Sequence, residues 1–347
     1  MSDNPLAADL DHILEHIRPL GEELRGARIF ITGGTGFFGC WLLESFAWAN
    51  DRLGLGAEAL VLTRDFESFA LKAPHLARRA DIRFHIGDVR DFTFPAGKFS
   101  HVIHAATEAS AYLNEEKPGL MLNTTIFGTM HAFDFAEQCG ARIFLLTSSG
   151  AVYGKQPADL TQIPEEYMGA PDVNDPRSAY GEGKRMSELV CAIRGRSAGI
   201  ETKIARGFAF VGPYLPLDAH FAIGNFIRDA MAGGRIKVNG DGTPLRSYLY
   251  AADMAIWLWT ILIRGASNRP YNVGSRNAWS IAQIAEAVSR VLPGRVPVEI
   301  GREPVPGQPA SRYVPETARA EKELGLREWI GLEDAIGRTA QWHERRP

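Results

Sequence analysis

From Arg28 onward, short unbroken apolar runs alternate with longer stretches whose apolar residues return at helical spacing. "ARIFITGG", "EALVLTR", "IRFHIGDV", "HVIHAA", "RIFLLTSS" and "ETKIARGFAFVG" are the short runs. Each reads as a strand covered on both faces. "GCWLLESFAWAN", "TTIFGTMHAFDFAEQCG" and "AYGEGKRMSELVCAI" lie between them and read as helices. Strands separated by helices predict an α/β fold on a parallel sheet. Upstream, Leu10, Ile13, Leu14, Ile17, Leu20 and Leu24 recur at helical spacing. They predict one N-terminal helix packed on the main domain, in preference to a helix reserved for a partner. Beyond Pro213 the rhythm loosens, although "YLYAADMAIWLWTILIRG" and "PYNVGS" look like a return to the main sheet.

Composition removes several function classes. The chain has 347 residues, 45% of them hydrophobic, and a formal net charge of −3. That balance offers no basic surface for nucleic acid or an anionic membrane. Cys40, Cys139 and Cys191 are scattered, with the spacing of neither a metal site nor a disulfide framework. No apolar stretch approaches the roughly 20 residues of a membrane span. The opening "SDNPLAADLDHILEHIRPL" lacks the apolar core of a secretory signal. A soluble, cytoplasmic protein without a metal is the expectation.

The first candidate site is "ITGGTGFFG", where Gly33, Gly36 and Gly39 separate the first strand from the first helix. Glycines there allow a tight turn and close approach of a ligand, and the helix start presents free N–H groups to phosphate. A tight turn that binds nothing is the plainer alternative. Its place at the head of a strand–helix–strand series favours a dinucleotide site, with Gly33, Thr35, Gly36, Phe37, Phe38 and Gly39 lining it. The expected fold is therefore a Rossmann-type doubly wound parallel sheet with a smaller C-terminal substrate-binding lobe. Its expected divisions are a helical extension over 1–27, a dinucleotide-binding domain over 28–205 joined by 245–275, and the lobe over 206–244 and 276–347. An acid at the end of the second strand would take the ribose 2′-hydroxyl of NAD. Here that end reads "LVLTRD", and Arg64 suits a 2′-phosphate. NADP(H) is favoured over NAD(H), with Asp65 as the residue that speaks for NAD.

The second candidate site is "YGEGK", which sets Tyr180 and Lys184 four residues apart on one helix face. A free tyrosine, with a pKa of about 10, is a poor base at neutral pH. A neighbouring ammonium and a positive nicotinamide ring favour the phenolate. The bland reading is an exposed pair with no task.

These motifs together resemble the extended short-chain dehydrogenase/reductases of the NAD-dependent epimerase/dehydratase group, which act on nucleotide sugars. The glycine spacing, "GDVRD", "HAA", "NTTIFGT", "VYG" and "YGEGK" carry the resemblance from about Arg28 to the C-terminus. It implies that Asp88, Val89, Ala105 and Ala106 border the cofactor and that Asn123 is the family's structural asparagine. It also makes Ser149, four residues before Tyr153, the hydroxyl that joins Tyr180 and Lys184 at the sugar oxygen. Arg246 and Arg312 match diphosphate-binding positions, Asn225 lies in the segment closing on the base, and Asp253 braces a loop. Ala209 stands where many relatives have an asparagine. The resemblance further implies a nucleotide-diphosphate sugar substrate and a homodimer paired through two helices.

One departure bears on the reaction. The family's 4,6-dehydratases carry Asp then Glu after the serine, and its decarboxylases keep the glutamate; this chain has Gly150 and Ala151. Without those acids, a C4 epimerase or 4-ketoreductase is the expected activity. A dehydratase or decarboxylase with acids recruited from elsewhere, Glu108 or Glu182, is the alternative. A non-catalytic NADPH sensor is a third.

Overall fold

The computed structural model describes residues 4–107, 111–219 and 221–345. Seven strands form the central sheet: β1 Arg28–Thr32, β2 Glu58–Thr63, β3 Ile82–Ile86, β4 His101–His104, β5 Ile143–Ser149, β6 Glu201–Gly207 and β7 Arg269–Val273. Their order is β7-β6-β5-β4-β1-β2-β3, with β1 parallel to β2 and β4, β2 to β3, and β4 to β5. The expected Rossmann-type sheet is present. Strand order reverses between β1 and β4, and in such sheets the crevice beyond those two strand ends receives ligands. Phe30 of β1 is fully buried, with Phe92 and Phe135 at ring separations of 5.4 and 4.5 Å.

Four helices matter below: α1 Ala7–Ile17, α2 Phe37–Leu53, α3 Pro118–Gln138 and α4 Ala179–Ala198. The single N-terminal helix expected from the apolar spacing is broken. α1 gives way to a 3₁₀ turn at Arg18–Leu20 and a short helix at Gly21–Leu24. Pro19 explains the break, since its ring clashes with the preceding turn and it has no N–H to donate. The apolar positions from Leu10 to Leu24 are nevertheless all buried.

The chain forms two compact units. The first comprises residues 1–152, 170–206 and 255–271, and the second comprises 153–169, 207–254 and 272–347. These limits differ from the expected divisions by a few residues at two borders, since 206 joins the first unit and 272–275 the second, and more widely in three places. The N-terminal segment belongs to the first unit, because its apolar face is buried there. Residues 245–254 fall in the second. So does 153–169, where the buried Tyr153 hydroxyl donates to Asn272 at 2.7 Å and Gln156 accepts from the Val314 amide at 3.0 Å. No helix among the described residues is long and apolar enough to cross a membrane.

Candidate active site

In the first unit, the turn after β1 lies directly against the backbone after β4. Gly33 has φ +71°, and a Cβ there would sit 2.5 Å from the Ala105 carbonyl. At Gly39 a Cβ would come within 2.3 Å of Gly34, so only glycine lets α2 begin this close to the turn. Gly36 is the N-cap of α2, and no side chain caps the helix. The opening amides, beginning with Phe37 and Phe38, and the positive end of the helix are left for an anion. The Thr35 carbonyl accepts from Lys72 at 2.9 Å. Glycine turn, uncapped helix start and the Ala105–Ala106 strand end fit the diphosphate of a dinucleotide.

At the end of β2, Arg64 is exposed. Asp65 is the N-cap of the helix Phe66–Lys72 and accepts from the Ser68 amide at 2.9 Å, so its carboxylate serves that helix. Asp88 holds Arg90 through bonds of 2.8 and 3.0 Å. That contact, with the charge of Arg64 behind it, keeps the Asp88 carboxyl below the usual range. Val89 is buried and meets Gly128 of α3.

Asn123 requires a correction. It is exposed on α3, whereas Thr125 is buried and packs on Gly183 of α4. Residues two apart on a helix stand about 200° from one another, so Asn123 faces away from the surface that Thr125 shares with α4.

Ser149, Tyr180 and Lys184 are brought together. Ser149 ends β5, is buried, and accepts from the Ala151 amide at 3.1 Å. Tyr180 opens α4, where its amide donates to the Asn114 side chain at 3.1 Å. Burial raises the Tyr180 hydroxyl above its ordinary 10, and a hydrogen bond with Ser149 pulls the other way. One turn on, the buried Lys184 ammonium donates to the Thr107 hydroxyl at 2.8 Å and the Thr147 carbonyl at 2.7 Å. Burial pushes it down to about 8. Its nitrogen is 6.0 Å from the centre of the Tyr180 ring. Of the two influences on the Tyr180 hydroxyl, burial is the larger, so in the chain without a bound positive ring it stays above its ordinary value.

Sequence reasoning missed three supports. Thr107 follows "HAA" directly and holds Lys184. The buried His104 joins Thr32 at 2.8 Å to Thr129 at 3.1 Å, and burial keeps its ring neutral down to about pH 3. Ser148, the residue before Ser149, donates to Glu188 at 2.5 Å. The available signal was the spacing of Tyr180, Lys184 and Glu188, which repeats every four residues.

Of the two recruited acids, only Glu182 is among the described residues. Glu182 stands on the other side of α4 from Tyr180 and pairs with Arg185 at 3.6 Å. Glu108 lies outside the described residues. Gly150 and Ala151 form the start of a 3₁₀ turn and bear no ionisable group.

In the second unit, Asn225 sits on the helix Ala222–Met231 and accepts from Arg228 at 3.2 Å. With Arg228, Lys237, Asn239 and Pro244 it lines a cavity of about 690 Å³. Arg246 lies opposite Tyr313 and Arg312 opposite Leu245 on neighbouring strands, so the two arginines stand one rung apart. Successive side chains leave a strand on alternate faces, so the pair does not form a clamp by register alone. The Asp253 carboxylate accepts from the Trp329 and Ile330 amides at 2.8 and 3.0 Å and braces that loop.

Comparisons with known proteins agree with this fold. UDP-glucuronic acid decarboxylase 6 of Arabidopsis thaliana is 31% identical over 316 residues, covering 89% of this chain and 86% of that protein. UDP-N-acetylglucosamine 4-epimerase from Methanobrevibacter ruminantium superposes with a TM-score of 0.79 at 19% identity, covering 92% of this chain and 99% of the other. DesIV, a dTDP-glucose 4,6-dehydratase from Streptomyces venezuelae solved with NAD bound, gives 0.76 at 23% identity, covering 92% and 97%. The model of the NAD dependent epimerase/dehydratase family matches residues 29–274, and the chain belongs to that family.

Proposed function

We propose that this chain oxidises C4 of a nucleotide-diphosphate sugar, and that a sugar bearing a C6 carboxylate then loses carbon dioxide. The observation that carries the reading is the cluster of Ser149, Tyr180 and Lys184 beside the glycine turn, with Ser149 and Lys184 buried and Tyr180 half-buried. A nicotinamide dinucleotide held by Gly33–Gly39, Asp88 and Ala105–Ala106 would supply the hydride acceptor. With that positive ring bound beside it, Tyr180 would be held as the phenolate and would take the C4 hydroxyl proton. The Ser149 hydroxyl donates to the same oxygen as charge develops there. Lys184 holds the field positive behind the phenol.

Relatives named as decarboxylases weigh toward this version over the epimerase or 4-ketoreductase that Gly150 and Ala151 suggested. The chemistry removes the earlier objection. Elimination of water needs a base at C5 and an acid at C6, whereas a C6 carboxylate next to C5 of a 4-ketone is a β-keto acid. Its C5–C6 bond breaks with the electron pair flowing into the C4 carbonyl, and the resulting oxyanion is the charge that Tyr180 and Ser149 are placed to hold. An uncharged Gly150–Ala151 wall does not oppose that step. Without a C6 carboxylate, the same residues support C4 epimerisation or reduction, the second reading.

The test is incubation of purified protein and cofactor with UDP-glucuronic acid and with neutral UDP-hexoses, followed by mass spectrometry. Loss of carbon dioxide from the former is expected. Isomer exchange among hexoses alone, or consumption of NADPH by 4-keto sugars alone, transfers the assignment to the second reading. Saturable cofactor binding with no turnover on any sugar would favour a sensor.

For the cofactor we propose NADP(H) over NAD(H), because Arg64 is exposed at the β2 end and Asp65 serves as a cap. Arg64→Asp is expected to weaken NADPH binding at least tenfold, a loss of about 1.4 kcal/mol or more, and to improve NADH. Titration of both cofactors by intrinsic fluorescence measures it, and equal affinities in the native chain would reverse the preference.

A second copy is the proposed partner for α3 and α4. They pack side by side and expose Phe127, Met130, Leu189 and Ile193, between 40% and 61% each. Leu189→Glu is expected to convert a dimer to a monomer in sedimentation velocity. A native chain that sediments as a monomer rules the pairing out.

A further inference from the structure

Glu188 occupies the same stripe of α4 as Tyr180 and Lys184, one turn beyond the lysine. Its carboxylate accepts from the Ser148 hydroxyl at 2.5 Å and from two nitrogens of Arg206 at 2.9 and 2.6 Å. The ion pair is sheltered, with side chains 14% and 13% exposed. A buried carboxylate is costly unless its oxygens are bonded. Here donors from β5 and β6 hold it in one place. The groups that face Lys184 can be taken element by element. After β4 stands the Thr107 hydroxyl, and His104 within β4 is neutral. β5 contributes the Thr147 carbonyl, and Arg206 of β6 is engaged by Glu188. On α4 itself are Tyr180, Glu188 and Cys191, whose thiol is pushed well up by burial. Glu188 acts against the burial that strips Lys184 of its proton.

We propose that Glu188 is a positioning residue of the proton relay, a fixed negative charge that keeps the Lys184 ammonium charged and bonded to Thr107 and Thr147. The proposal rests on the reading of Tyr180 and Lys184 as that relay. Ser148 supplies one hydrogen bond to the Glu188 carboxylate, which Arg206 holds with two more.

The test uses protein carrying ¹³C at lysine Cε, titrated by NMR without substrate. The Lys184 signal is identified by its loss in Lys184→Met. In the native chain it is expected to titrate near pH 8. In Glu188→Gln the midpoint falls by about one pH unit, since an opposing charge has been removed. Ser148→Ala deletes a hydrogen bond and keeps the charge, so its midpoint stays in place. If Glu188→Gln folds poorly, the double variant Glu188→Gln/Arg206→Gln replaces both ions with amides, and its midpoint moves in the same direction. With a turned-over sugar in hand, the basic limb of kcat/KM moves down by the same amount. A folded variant whose Lys184 midpoint does not move overturns the proposal. A midpoint that moves while no nucleotide sugar is turned over leaves the coupling standing and defeats the function reading instead.

Discussion

Tyr180→Phe is expected to reduce kcat/KM about 10³-fold, the middle of the range for removal of a positioned proton-transfer group. The substitution deletes one oxygen and keeps the ring, so α4 and its packing are retained. It removes the acceptor for the C4 proton and the partner of Ser149 together. Cofactor affinity is expected to stay within about twofold, because the glycine turn and the α2 start are untouched. Steady-state kinetics on a sugar that turns over, with a cofactor titration beside it, separate the two quantities. Activity within tenfold of the native chain would remove Tyr180 from the reaction.

Gly33→Ala is expected to weaken dinucleotide binding about 100-fold, or about 2.8 kcal/mol at 1.4 kcal/mol per decade. Two costs combine. A left-handed backbone at φ +71° charges any side chain about 1–2 kcal/mol. The new Cβ would also overlap the Ala105 carbonyl at 2.5 Å, and backbone cannot swing aside as a flexible side chain does. Turn and strand end must separate, which spoils the surface meant for the diphosphate. Gly56→Ala is the control. Gly56 has φ +61° with nothing within 4 Å of its Cβ position, so it carries the backbone cost alone. Calorimetric titration should find cofactor affinity unchanged there. Equal losses at the two positions would show that the close approach at Gly33 is irrelevant.

The sheet was legible because each strand is an apolar run bounded by helical spacing, a signal local in sequence. Pro19 shows the limit of periodicity: the apolar positions kept their spacing through a break that only the proline announces. Asn123 failed for a different reason. A motif was matched by residue type, while the helix face was decided by which residue meets Gly183, and that is Thr125. Tyr180 and Lys184 were legible as an i,i+4 pair, and extending the same step reaches Glu188. Its partners were not legible, since Ser148 and Arg206 come from strands that only the fold sets side by side. Arg246 and Arg312 lie 66 positions apart, and their one-rung offset exists only once the strands pair.

His104 has a consequence for reading acid-side kinetics. With each ring nitrogen engaged by a threonine hydroxyl and burial holding it neutral, the imidazole serves as a spacer, never as a titrating switch in ordinary buffers. An inflection in rate between about pH 5 and 7, where histidine normally announces itself, therefore belongs to the bound ligand or to a group elsewhere. The floor beneath the reaction stays electrically silent through that interval.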